Sequence, residues 1–271
     1  MATITPIIKI MQDAAHKAGR SLLRDFGEIE NLQVSQKGPG DFVSNADHKA
    51  EKIIIAELQK ARPDYSILSE EAGEIKGKDE SSRWIIDPLD GTKNFLHSVP
   101  QFCISIGLEQ TTPIGKKEIV AGVIYVPVFN EVYWAERGQG SYVNQRRLLV
   151  SGRKKIGEVL LGTGGIGTNR DKQGKTKEVI RQLIDKGANV RMLGCAALEL
   201  AYVAAGKMDG LWHTDLKSWD MAAGILIVRE AKGMVTELNG GGNMLESGTI
   251  LATNANMHEE LQKIMTANYS A

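Results

Sequence analysis

Apolar positions along the chain change period twice. Thr5 and Pro6 form a helix start, the hydroxyl capping free N–H groups and the proline sitting where its missing N–H costs nothing. Ile7, Met11, Ala14, Ala15, Ala18, Leu22 and Phe26 then recur at helical spacing up to Gly27. A second amphipathic helix is expected from near Ser44, where Ser44 and Asp47 make a capping pair, through Ile53, Ile54 and Leu58 to the breaker Pro63. From Tyr65 to about Leu149 the pattern turns to short runs rich in Val, Ile and aromatics (SIL, WII, FCISIGL, IVAGVIYVPVF, EVYWA, SYVN), which predict strands, with a hairpin turn at Asn130-Glu131.

The second half alternates strand and helix. Strands are expected at Glu158–Leu161, near Val190, around Leu211, at Met234–Leu238 and at Ile250–Ala252. Helices are expected at Lys177–Lys186, Cys195–Ala205, Trp219–Ala231 and after Asn256. This is a mixed α/β pattern. With no repeat and no linker, residues 1–271 read as one domain with a change of texture near Leu148, giving subregions of about 1–147 and 148–271.

Composition narrows the partners. Lys plus Arg and Asp plus Glu number 33 each, for a formal charge of +0, which argues against a nucleic-acid backbone or an anionic membrane as main partner. No stretch reaches the ~18 apolar residues of a membrane span. The first residues lack the basic start, apolar core and cleavage site of a secretion signal. Cys103 and Cys195 have no CxxC partner and read as reduced core thiols of a cytoplasmic protein. The 29 glycines exceed average usage, which points to turns and close backbone approaches.

The chemistry concentrates in WIIDPLDGTKNF. An apolar strand is expected to end on Asp87, with Pro88 stopping it, and Asp90, Gly91 and Thr92 lead into a helix start. Two carboxylates at a buried strand end repel each other and resist burial, so they call for a cation. The Leu89 carbonyl adds an oxygen, and an oxygen-only set selects a hard ion such as Mg²⁺. Gly91 and the exposed N–H groups of the helix start favour an anion. Glu70 follows the strand YSIL, Asp220 opens an apolar helix, and Asp41 and Asp47 flank another tight loop. Each alone has an ordinary structural reading as a surface turn or a first-turn helix acid.

Together, the segments GDFVSNADHKAE, SEEAGE, WIIDPLDGTKNF and SWDMAAGILIVREAKG resemble in order and spacing the inositol monophosphatase family of Mg²⁺-dependent, lithium-sensitive phosphatases. The resemblance implies a layered αβαβα sandwich and, for this chain, a cytoplasmic homodimer. It implies metal ligation by Glu70, Asp87, the Leu89 carbonyl, Asp90 and Asp220. Thr92 and Asp47 would orient the attacking water, with Glu70 aiding its deprotonation and Lys37 nearby. Gly91 and Thr92 would bind phosphate. Gly194, Cys195, Ala196 and position 213 would face the substrate alcohol, along with Asp90 and Asp220. The implied reaction is direct hydrolysis of a phosphate monoester, inositol monophosphate or a related polyol or sugar phosphate, without a phosphoenzyme.

Departures fall on the alcohol side. His213 stands where the family often has an acid, Cys195 where it has Ser or Thr, and Lys93 where it has Thr. They keep fructose bisphosphate, histidinol phosphate and nucleotide 3'-phosphates open as substrates. A regulatory association with the transcription machinery is a further alternative. Gly162 to Gly167 matches GxGxxG, but the following TNRDKQGK is polar and reads as a loop, so a dinucleotide is not expected.

Overall fold

The computed structural model describes residues 4–28, 34–38, 41–164 and 170–269; at 34–38, 41–44 and 170–173 it describes the backbone alone. The elements run α1 Pro6–Phe26, β1 Val34–Gly38, β2 Asp41–Ser44, α2 Asn45–Ala61, β3 Tyr65–Ser69, β4 Gly73–Ile75, β5 Asp79–Asp90, α3 Thr92–Leu96, β6 Cys103–Thr111, β7 Lys117–Val126, β8 Glu131–Glu136, β9 Gly140–Val143 and β10 Arg146–Arg147. The second half continues with β11 Leu160–Thr163, α4 Arg170–Asp185, β12 Asn189–Arg191, α5 Ala196–Ala204, β13 Gly210–His213, α6 Ser218–Glu230, β14 Met234–Thr236, α7 Met244–Ser247, β15 Ile250–Thr253 and α8 His258–Tyr269.

Three apolar clusters hold five layers together, the central one spanning both faces of the middle layer. The outer face of an eight-stranded sheet, in the order β10-β9-β8-β7-β6-β5-β3-β4, is covered by α1 and α2 through Ile8, Met11, Leu22, Ile54, Leu58, Trp84 and Ile106. Its inner face meets α5 and α6, which also cover a five-stranded sheet ordered β12-β11-β13-β15-β14, through Cys103, Ile124, Leu198, Leu211, Ile227 and Ile250. Beyond that sheet lie α4 and α8, packed by Val179, Leu183, Trp212, Leu251 and Met265. The expected αβαβα sandwich is the observed one.

Helices on both faces explain why the strands read as continuous apolar runs. In β6 the alternation is hidden: Ile104, Ile106 and Leu108 face α1 and α2, while Ser105 donates to the Trp219 carbonyl and Gly107 lies under Ala222 of α6. A Cβ at Gly107 would come 3.1 Å from Ala222, and one at Gly122 2.9 Å from the Ala223 carbonyl. These small residues let α6 lie close on the sheet, which carries its first turn to the end of β5.

Two expectations need correction. Pro88 does not end the strand: β5 runs to Asp90, and the register against β6 shifts between Asp87 and Asp90. A bulge tolerates the missing N–H that a regular ladder would not. RDKQGK is not a loop, since α4 begins at Arg170 rather than near Lys177. Arg, Lys and Gln are good helix formers, and the apolar face of Val179 and Leu183 farther on anchors the whole helix. Gly165, Ile166 and Gly167 lie outside the described residues.

Candidate metal centre

The bulge at the end of β5 turns Asp87 inward, where its carboxylate accepts the Leu89 N–H at 3.0 Å. The Leu89 carbonyl accepts the Thr92 hydroxyl at 3.0 Å, closing the Asp87–Thr92 turn on itself. Gly91 sits at φ +89° in the left-handed region, and a Cβ there would stand 2.7 Å from the Gln101 carbonyl. No other residue fits that corner without moving the backbone.

Asp220 reaches the same place from the first turn of α6. Its Oδ2 accepts the Lys217 N–H at 2.7 Å, so it does cap the helix, and its carboxyl also hydrogen-bonds that of Asp87. Asp90 is held from a third direction, by the Ala197 N–H at 2.7 Å and the Cys195 thiol at 3.2 Å. Glu70 follows β3, the parallel neighbour of β5, and its N–H donates to the Ile86 carbonyl at 3.2 Å. Asp47, buried in the first turn of α2, groups with Glu70 and Glu71, one carboxylate oxygen of each lying within 4.8 Å of the others.

Electrostatics tie these acids together. Burial, then the charges of Glu70, Asp90, Asp220 and Asp47, drive Asp87 well above the ordinary carboxylate range. Burial raises Asp90 to about 6, against the pull of the Ala197 and Cys195 donors. Burial and then Asp90 raise Asp220 to about 7. Carboxylates crowded this way resist ionising without a counter-charge, which a bound cation supplies, and an all-oxygen donor set suits a hard divalent ion.

The residues expected to face the substrate alcohol are distributed less simply. Gly194, at φ +73°, and Cys195 lead into α5, which starts at Ala196. His213 ends β13 and is buried, its Nε2 2.7 Å from Glu199 Oε2. Lys93 is exposed. Lys37 and Asp41 lie on β1 and β2, with their side chains outside the described residues.

Sequence reasoning missed three residues that hold the site. Glu51, one helical turn after Asp47, accepts the Ser69 hydroxyl and the N–H groups of Glu71 and Ala72, both at 3.0 Å, and so fixes the turn carrying Glu70. Asn94 donates to the Gln101 and Leu193 carbonyls, each at 2.7 Å, tying α3 to the loop before α5. Glu199 accepts the Leu193 N–H at 2.9 Å as well as contacting His213. Only the helical offset of Glu51 from Asp47 was a signal in the sequence. The glycine run gains a role too: a Cβ at Gly162 would meet Glu199 at 2.9 Å, and one at Gly164 would meet His213 at 2.6 Å.

A cavity of about 710 Å³ beside α6 is separate from the acids, being lined by Arg83, Glu109, Lys117, Arg229 and Met244 among others. Its Arg83–Glu109 pair is closed at 2.8 Å.

The model of the inositol monophosphatase family matches residues 3–269. The chain belongs to that family. It is 51% identical to an inositol-1-monophosphatase of Mesorhizobium japonicum, over 98% of each chain. It is 39% identical to the Nus factor SuhB of Escherichia coli, covering 94% of this chain and 97% of that one. The crystal structure of the extragenic suppressor protein suhB from Bartonella henselae superposes with a TM-score of 0.91 at 48% identity, covering 96% and 98%. As a member of the inositol monophosphatase family the chain is a phosphoric monoester hydrolase, and metal dependence goes with the family. No helix among the described residues is long and apolar enough to cross a membrane.

Proposed function

We propose that the protein is a Mg²⁺-dependent, lithium-sensitive phosphatase that hydrolyses inositol monophosphate or a related polyol or sugar phosphate. The observation that carries this reading is the convergence of Asp87, Asp90 and Asp220 from a strand bulge and a helix start, with Glu70 among the charges raising Asp87. In this reading Glu70, Asp87, the Leu89 carbonyl, Asp90 and Asp220 hold the ions. Bound Mg²⁺ would supply charge for the phosphate and activation of water.

The chain's own groups do the positioning. The Thr92 hydroxyl, oriented by its 3.0 Å bond to the Leu89 carbonyl, and the Asp47 carboxylate align the attacking water, and Glu70 takes up its proton. The N–H groups of Gly91 and Thr92 donate to the phosphate oxygens. Lys37 would lie near the water. Gly194, Cys195 and Ala196 would border the alcohol, with His213 held behind them by Glu199 rather than reaching forward. Residues 1–271 act as one domain in a cytoplasmic homodimer, an expectation supported by the family resemblance, and sedimentation tests it. Phosphate release from a panel of monoesters, with Mg²⁺ and with or without lithium, tests the activity. Release from none of them would contradict it.

A second reading is favoured by the relatives that bear the name Nus factor SuhB. In it the protein also associates with the transcription machinery, and a pull-down from cell extract with the intact protein tests that association.

A further inference from the structure

Cys103 and Cys195 share no spacing motif, yet the fold places their sulfurs 3.5 Å apart in the buried layer between the sheets. Cys103 opens β6 directly opposite Asp90 in the ladder. Cys195 precedes α5, and its thiol lies 3.2 Å from Asp90 Oδ2 and 3.4 Å from the Asp90 carbonyl. One atom from each of Asp90, Cys103 and Cys195 therefore lies within 4.8 Å of the others.

These separations match a coordination sphere. Metal–sulfur bonds of about 2.3 Å and metal–oxygen bonds of about 2.1 Å in a tetrahedron put two sulfurs about 3.8 Å apart and a sulfur and an oxygen about 3.6 Å apart. The observed 3.5 and 3.2 Å need only small outward shifts. A disulfide, at about 2.05 Å, would instead need a contraction of about 1.5 Å between a strand and a helix start packed on both sides. We infer that Asp90, Cys103 and Cys195 form a site for a thiophilic divalent cation of the Zn²⁺ or Cd²⁺ class, separate from the oxygen-only centre but sharing Asp90 with it. Two thiolates select against Mg²⁺. Each thiol gives up its proton to solvent on binding. Asp90, only partly buried, provides the way in.

An ion held there draws Asp90 away from Asp87 and Asp220 and inhibits hydrolysis, with excess Mg²⁺ opposing it. That consequence rests on the phosphatase reading; the binding does not.

Titration of the purified chain with Cd²⁺, in Mg²⁺-free buffer with a phosphine reductant, tests the site through ultraviolet sulfur-to-cadmium charge-transfer absorbance. The wild type should develop the band with one equivalent bound. Cys103→Ala should weaken binding at least about tenfold while keeping Mg²⁺-dependent phosphate release, and Cys103→Ser should show the same loss if the alanine variant does not fold. Absence of the band in the wild type, or unchanged affinity in a folded Cys103 variant, overturns the site. A band lost in the variant, with phosphate released by neither protein, upholds the site and removes the phosphatase reading alone.

Discussion

His213 Nε2 lies 2.7 Å from Glu199 Oε2, both side chains buried, where β13 ends against α5. Position 213 is thus filled by a buried imidazole paired with a buried carboxyl. The partnership makes the His213→Glu substitution costly, because it sets a second carboxylate against Glu199 out of water. The expected loss is about 3 kcal/mol or more, read as a lower midpoint in thermal denaturation. Glu199→Gln added to His213→Glu should recover part of it. An undiminished midpoint in the single variant would show that the pair does not stabilise this junction of β13 and α5.

Glu51 should matter to catalysis without touching substrate. Its carboxylate gathers the Ser69 hydroxyl and the N–H groups of Glu71 and Ala72. Glu51→Gln leaves an acceptor but removes the charge, which should cost about 1–3 kcal/mol and weaken Mg²⁺ affinity by loosening the Glu70 turn. Calorimetric titration with Mg²⁺ and a thermal melt check both effects. Wild-type values in both would remove Glu51 from the account.

Stability without metal should fall as pH rises. Asp90 at about 6 and Asp220 at about 7 both sit above the unfolded value of about 3.9, so the folded state favours their protonated forms. That contribution is fully present below pH ~4 and is lost as pH climbs through about 6 to 7. In chelator the melting temperature should therefore drop between pH 5 and 8. Saturating Mg²⁺, which prefers the ionised carboxylates, should raise it more at pH 8 than at pH 5. Equal increments at both pH values would contradict the linkage.

Gly91→Ala should be severe. The substitution meets strain at φ +89° and a 2.7 Å contact with the Gln101 carbonyl. Loss of about 2 kcal/mol or more and of most phosphate release is expected from melts and turnover assays. Normal turnover would mean that the corner can rebuild without the glycine.

What was legible in the chain was local. Asp87, Asp90 and Thr92 lie within one short segment, and Asp220 in another, at the start of a helix whose apolar run is plain in the sequence. What was hidden was remote or depended on irregular backbone. The Asn94 bond to Leu193 and the contact between Cys103 and Cys195 join segments far apart in sequence, and no periodicity reports such pairs. Pro88 reads as a strand stop unless the bulge is known. The polar start of α4 carries no apolar stripe, because the anchoring residues come turns later.

The most direct test of the central claim is phosphate release by Asp87→Asn beside the wild type, at saturating Mg²⁺ and neutral pH. Asp87 is the carboxylate on which Glu70, Asp90, Asp220 and Asp47 all press. At least about a 100-fold loss of activity is expected, together with weaker Mg²⁺ binding. In chelator the variant should melt at or above the wild-type temperature, since a neutral amide relieves the crowding. Undiminished phosphate release by the variant would contradict the claim.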